Sequence, residues 1–329
     1  MPSKPTTAVV DADKFKYACA FSGEKRSVLV EHPNGFSREF KNRTAFYGRD
    51  KKSEHLKILN KRRDSELTFE EFTYTDIQRA EPLDSVLIST QNTIDREIRI
   101  SGAKRAKFFV GSGESFRVER STLLKYKGNR ENLKPVYIDE VTQFIIDRYG
   151  AEVVTHYEAD DRLVMECFRQ PDNFIIGEDK DYLGCPVNFF NVNTPELGIQ
   201  ECNQFGKLFR KKNGDVTGIG RMFFYFQVMA GDSSDNYKAN CFSDVRWGDI
   251  SAYNLLKDCK DDKEAFLAMK QGYQTLYPQP KIVTGWRGKD IEIDWQYVFN
   301  ENFDLARMVR FEGDVVVGSS VMDKLLGGI

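Results

Sequence analysis

The segment Tyr157–Leu163, YEADDRL, places Glu158, Asp160 and Asp161 within four positions. Crowded carboxylates disfavour one another's ionised form, so such a group either faces water or surrounds something positive. Three more acidic pairs repeat the theme: Asp11 with Asp13 after AVV, Asp179 with Asp181 after NFIIG, and Asp232 with Asp235 in GDSSDN after the apolar stretch Arg221–Ala230. Singly, each has an ordinary explanation. A DxD is commonly a surface turn, EADD suits a first helical turn where acids meet the macrodipole, and GDSSDN reads as a capped turn. Four such clusters, each abutting an apolar strand or helix, point instead to one acidic cleft. An all-oxygen set of this kind suits Mg²⁺ or Mn²⁺, hard cations that accept carboxylates and water. The six cysteines form no CxxC pair or zinc spacing and the three histidines are far apart, so neither thiol nor histidine-metal chemistry is indicated.

For these clusters to meet, the elements before them must end at one edge. Thr7–Asp13 reads as a buried strand running into carboxylates, with a helix from about Phe15 to Phe21. Ser27–Phe40 alternates like a hairpin around Pro33-Asn-Gly35, and Lys41–Thr75 reads as charged and irregular, with some helical spacing. Apolar periodicity predicts helices over Leu83–Ile100 and Ile138–Tyr149. Short strands are expected at Lys107–Gly111, Glu152–Thr155, Asn173–Gly177 and Val187–Val192, and helices at Asp160–Phe168, Arg221–Ala230, Ile250–Lys257 and Lys263–Leu276. This βα alternation implies a parallel sheet, whose carboxyl-end edge is where ligands bind. A second region is expected to begin near Tyr237, giving domains 1–236 and 237–329; the segment Ile282–Ile329 carries no assignment.

At 329 residues, 40% apolar and 13% aromatic, the chain can bury a sizeable core. No apolar run approaches a membrane span and Met1–Thr7 has no signal-peptide core, so a soluble, cytoplasmic monomer is expected. The net charge of −2 hides segregation. Lys41–Arg63 carries nine lysines and arginines against Asp50 and Glu54, and Lys104–Lys134 nine against Glu114, Glu119 and Glu131. Basic stretches beside an acidic cleft suit a polyanion processed with metal ions, although either run alone would also pass for a solvated helix.

The ordered set VVDAD, YKGNR, YEADD, GEDKDYLGC and AGDSSDN resembles the 5′-nuclease superfamily of flap endonucleases and 5′–3′ exonucleases, and most of all its bacteriophage exonuclease branch. The resemblance covers about Val9 to Leu256. It implies an α/β fold, PIN-like, with a mostly parallel sheet flanked by helices and a C-terminal helical-hairpin region that binds duplex DNA. It further implies two divalent ions. Asp11, Glu158, Asp160 and Asp161 would serve the first, and Asp179, Asp181, Asp232 and Asp235 the second, with Asp13 in support. Lys127 and Arg130 match the catalytic Lys and Arg that reach the scissile phosphate, and Tyr126 would stack on a terminal base unless it is plain core. Two departures stand out. VGSGESFR has Ser112 or Glu114 where many relatives carry an Asp, and DVRWGDISAYNLL keeps Gly248 but has Arg246 in place of a first glycine, which puts the family's K⁺ site in doubt and offers Arg246 as a phosphate contact.

The expected function is therefore metal-dependent 5′–3′ exonuclease activity on DNA with a free 5′ end. Flap-endonuclease activity and RNA-primer removal from RNA–DNA hybrids, in phage-type replication, are expected to accompany it. The alternatives are a PIN-like ribonuclease and a non-catalytic, structure-specific DNA-binding protein.

Overall fold

The computed structural model describes residues 7–63, 66–130 and 133–327. The side chain of Arg63 and residue Glu131, both counted in the basic stretches, lie outside the described residues, as do the first six and last two residues of the chain. Contacts divide the chain into two units. The larger takes the chain up to Lys14, Thr93–Leu133 and the chain from Ile145 on; the smaller takes Phe15–Asn92 and Lys134–Phe144.

The larger unit holds a six-stranded sheet in the order Glu152–His156, Arg105–Ser115, Thr7–Asp11, Asn173–Gly177, Asn188–Asn191, Ile199–Glu201. All neighbours run parallel except the last, which is antiparallel. The central strand has no solvent face: Ala8, Val9 and Val10 are fully buried, as are Phe174, Ile175 and Ile176 beside them. An unbroken apolar run rather than an alternating one is what a strand covered on both sides requires. The parallel strands therefore share one carboxyl edge, and Asp11 stands at it. The fold is thus the expected mixed α/β class with a mostly parallel sheet.

The expected division at residue 236 does not separate compact units. One apolar core joins Leu208, Met222 and Phe226 to Phe266, Tyr273, Phe299, Phe303 and Met322, so the chain on both sides of that point shares a single interior. The unassigned segment after Ile282 is regular. A hairpin of Lys281–Thr284 and Asp290–Ile293 precedes helices Trp295–Ala306 and Gly318–Leu326. Helices Asp249–Leu256 and Asp262–Leu276 fall where periodicity placed them.

In the smaller unit, Glu24–His32 pairs antiparallel with Phe36–Phe40 across the expected Pro33-Asn-Gly35 turn, and with Thr73–Ala80 on its other side. Its core is Val28, Val30, Phe40, Phe46 and Phe72. Within the stretch read as irregular lie two helices, Arg43–Tyr47 and Glu54–Arg63, and the start of the Thr73–Ala80 strand. That strand, TYTDIQRA, lacks clean alternation because none of its residues is buried. Among the described residues no helix is long and apolar enough to cross a membrane.

One glycine sets the start of the GDSSDN turn. Gly231 ends the helix Arg221–Ala230 with φ 82° and ψ 177°, a region open essentially to glycine alone. A Cβ there would lie 2.5 Å from the Tyr237 carbonyl oxygen and 2.8 Å from Lys238 Cα. Gly231→Ala is expected to cost about 2 kcal/mol or more, combining backbone strain with a backbone clash. Urea denaturation measures it; an unchanged midpoint would contradict the account.

Candidate active site

Carboxylates from four segments distant in sequence form one electrostatically coupled set in the larger unit. Asp11 leaves the central strand and accepts a hydrogen bond from the Asp13 amide at 2.9 Å. Burial, Asp13 and Asp179 together push its carboxyl up from 3.8 to about 7. Asp160, in the first turn of the helix Ala159–Arg169, is driven well above the carboxylate range by burial and by Asp11, Asp179 and Glu158, against a hydrogen bond from the Tyr182 hydroxyl. Asp181 is likewise pushed well up by burial and by Asp179, and it accepts from Gln227 Nε2 at 2.5 Å. Asp179 caps the short Lys180–Gly184 turn, taking the Asp181 amide at 2.9 Å. Asp13 supports the group from the side: its Oδ1 accepts from the Gly111 amide at 3.0 Å, and a Cβ on Gly111 would come within 2.6 Å of its Oδ2.

Two turns clasp one another beside this set. Lys127 N donates to the Asp235 carbonyl at 2.9 Å, Asn129 Nδ2 to the Ser233 carbonyl at 2.6 Å, and Asn236 Nδ2 to the Lys125 carbonyl at 2.9 Å. Arg130 adds Nε to the Ser234 carbonyl at 3.2 Å and Nη2 to Asp235 Oδ1 at 2.9 Å. YKGNR and GDSSDN are thus one structural piece. Lys127 has φ 54° and Asn236 φ 60°, left-handed conformations uncommon for residues other than glycine. Strain of this kind persists only where the surroundings enforce it, and it gathers at functional sites. The Lys127 ammonium pairs with Glu158 and lies 3.9 Å from Asp235 Oδ1; these carboxylates outweigh burial and raise its pKa.

Asp232 differs from its neighbours. Burial favours its neutral form, but Ser234 and Lys180, whose Nζ is 3.2 Å from Oδ2, outweigh burial and hold it below the ordinary range. Asp235 is raised by burial and Glu158 against the pull of Lys127 and Arg130.

Sequence reasoning missed Arg117. Its guanidinium is 2% exposed and bidentate to Asp161, at 2.6 and 2.7 Å; it also reaches Glu158 Oε2 at 3.2 Å and the carbonyls of Leu305 and Arg307. Asp161 Oδ1 also takes the Val309 amide at 2.9 Å, and Oδ2 the Glu158 amide at 3.2 Å. Both oxygens of fully buried Asp161 are therefore committed, which corrects its place among the ligands: it is half of a buried ion pair and of a capping box with Glu158. Tyr126 also needs correction. It is 2% exposed, packed with Tyr237 and Leu305, and its hydroxyl sits 3.1 Å from Glu158 and 3.0 Å from Asp235. A ring so covered cannot stack on a base. Arg246 is exposed, and Gly248, at φ 175°, is ordinary extended backbone leading into Asp249–Leu256. Ser112 and Glu114 are exposed at the end of the Arg105–Ser115 strand.

The donor chemistry fits hard divalent cations: oxygen ligands only, buried, and mutually repelling enough to raise Asp11, Asp160 and Asp181. Among the described residues, no three His, Cys, Asp or Glu are yet closed around a single point. Lys127 and Lys180 supply the positive charge within the set.

No family model matches the chain, and no curated protein matches it. Solved structures with similar folds include a mutant T5 5′-exonuclease at 16% identity and TM-score 0.40, over 67% of this chain and 78% of that one. T5 5′-exonuclease with bound zinc shares 19% identity at TM-score 0.40, over 69% and 79%. The bacteriophage T5 flap endonuclease in a pseudo-enzyme–product complex with DNA and metal ions shares 17% at TM-score 0.42, over 73% and 88%.

Two measurements probe this electrostatic arrangement. Arg117→Ala leaves a buried carboxylate uncompensated and should destabilise the fold by about 3–5 kcal/mol, whereas Arg117→Met with Asp161→Leu should recover much of that loss. Equal denaturation midpoints for the two variants would refute the buried pair. For Asp11, the folded state holds its proton to about pH 7 and the unfolded state releases it near 3.8, so stability falls as pH rises through that window. In EDTA, Asp11→Asn should therefore be more stable than the parent at pH 8, by on the order of 2 kcal/mol, with the gap vanishing near pH 4. Thermal melts across pH 4–8 test the sign.

Proposed function

We propose that this chain is a divalent-metal-dependent 5′-nuclease that hydrolyses DNA phosphodiesters from a free 5′ end or at a 5′ flap. The observation that carries this reading is the joining of the YKGNR and GDSSDN turns at the rim of the coupled carboxylates, which puts Lys127 and Arg130 beside the acidic set. A hydrolase of phosphodiesters needs negative groups to hold cations and positive groups to meet the phosphate, within one site.

Asp11, Asp160 and Glu158 would hold one Mg²⁺ or Mn²⁺, and Asp179, Asp181, Asp232 and Asp235 a second, with Asp161 left to its ion pair. Bound there, the ions would supply Lewis-acid stabilisation of phosphoryl charge and an acidified water. The protein's own groups do the positioning. Lys127 and Arg130 rest on Glu158 and Asp235; they would exchange those carboxylates for the scissile phosphate as cations neutralise the acids. Arg130 brings a planar fork suited to two phosphate oxygens, and Lys127 a mobile point charge. Tyr182 and Gln227 hold Asp160 and Asp181 in place by hydrogen bonds. Arg246, exposed before the Asp249–Leu256 helix, is a candidate phosphate contact for duplex DNA.

A second reading, a non-catalytic DNA-binding protein, is favoured by one fact: the carboxylates are not closed around any point and lysines sit among them. Cleavage separates the two. With Mg²⁺ and 5′-labelled single-stranded, duplex and flap DNA beside RNA and RNA–DNA hybrid, the parent protein should release short 5′ products. Asp160→Asn mimics the neutral acid that the metal-free fold prefers, so it should fold normally and bind DNA while losing about 100-fold or more in turnover. Lys127→Ala should lower turnover far more than affinity. Full activity in both variants would overturn the assignment, and binding without cleavage by the parent would favour the second reading.

A further inference from the structure

A basic hairpin lies outside everything assigned so far. Lys207–Arg210 and Val216–Ile219 form an isolated two-stranded ribbon, pairing Phe209 with Thr217 and Lys207 with Ile219. Its first strand and turn read KLFRKK, four cations in six residues without an acid, in a chain whose net charge is −2. Lys207, Arg210, Lys211 and Lys212 have no ion-pair partner among the described residues. The nearby Asp215 does not neutralise them: its carboxylate accepts from Asn213 Nδ2 at 2.7 Å, and its carbonyl closes the turn onto the Lys211 amide at 2.8 Å.

Charge at a hairpin tip is common and is usually solvated, so the aromatic decides. Strand alternation turns Leu208 inward, at 9% exposure, and Lys207 and Phe209 to the other face. Phe209 is 41% exposed, and Lys207 Nζ lies 5.1 Å from its ring centroid. A bare ring flanked by unpaired cations combines what holds an unpaired strand: a π-face for a base and positive charge for its phosphates. The ribbon is also fixed to the acidic site. Its base continues into Gly220, whose amide donates to the Leu183 carbonyl at 2.8 Å, in the same short turn that carries Asp181. Gly206 and Gly220 allow that closure, at φ 80° and 78°, where a Cβ would strike backbone oxygens at 1.7 and 2.4 Å.

We propose that this ribbon is a binding site for single-stranded nucleic acid, with Lys207, Arg210, Lys211 and Lys212 on successive phosphates and Phe209 under a base. Taking that strand to be substrate DNA rests on the nuclease reading. On that reading, the ribbon holds the unpaired strand while Lys127 and Arg130 meet the scissile phosphate.

Fluorescence anisotropy with labelled oligothymidylate and with blunt duplex, in Ca²⁺ and across 50–200 mM KCl, tests it. Lys211 and Lys212 lie in the turn beyond the Lys207–Arg210 strand, so Lys211→Gln with Lys212→Gln should keep the fold, as circular dichroism would check. This double variant should flatten the slope of log affinity against log salt by about 1.4, that is, ~0.7 for each single-strand phosphate released. Phe209→Ala should weaken single-strand binding by about 5-fold or more and leave duplex binding unchanged. An unchanged slope and affinity in both variants, with the parent still binding and cleaving DNA, would overturn the ribbon alone. A parent that binds no strand would overturn the nuclease reading with it. Equal binding of polyglutamate, lost in the same variants, would reassign the ribbon to acidic polypeptide and also overturn the proposal.

Discussion

A single guanidinium organises the larger unit. Arg117 is buried at the end of the sheet's edge-ward strand, and every one of its protein partners does a second task. Asp161 and Glu158 are the two halves of the capping box that starts the Ala159–Arg169 helix, and the Leu305 and Arg307 carbonyls end the helix Trp295–Ala306. Removing two charges from water is expensive, and only bidentate geometry with the remaining lone pairs satisfied offsets it. Here the Val309 and Glu158 amides supply those last hydrogen bonds. The position of Glu158 and Asp160 in the cleft is therefore inherited from an interaction that itself takes no part in the chemistry.

Beside that fixed frame, the acidic set is held in tension. Burial and mutual repulsion favour neutral acids at Asp11, Asp160 and Asp181, whereas lysine and serine keep Asp232 ionised. Such a mixture stores unfavourable charge that an added cation relieves, and placing cationic side chains on the same turns makes the site responsive to a polyanion as well. The clasp between the two turns keeps these opposing groups within reach without letting them collapse into simple salt bridges, since its hydrogen bonds run largely through backbone.

How far this was legible in the sequence depends on what left a periodic or local trace. Apolar runs ending in acids announced the strands and their shared edge, because a strand buried on both faces must be continuously apolar. Helix positions followed from spacing at Leu83–Ser101 and Ile138–Tyr149. Asp161 misled because three carboxylates in a row look alike, and only a partner 44 residues away distinguishes an ion pair from a ligand. Tyr126 looked like a stacking platform because its burial depends on Tyr237 and Leu305, far along the chain. The Thr73–Ala80 strand and the elements after Ile282 escaped for another reason: the first buries no residue and so shows no alternation, and the second joins a core built mostly by earlier helices.

The Arg117 pair also sets an order of assembly. Its contact with the Leu305 carbonyl spans 188 positions, and the Asp161 contact with the Val309 amide spans 148. Contacts that distant close late, after local helices and hairpins have formed, because the chain entropy they consume must be offset by structure already in place. During synthesis the sheet can therefore gather its acids well before the segment near residue 309 exists to complete the frame that holds them. The cleft matures from the far end of the chain backwards, and a nascent protein would carry the acids of the site before it carried their alignment.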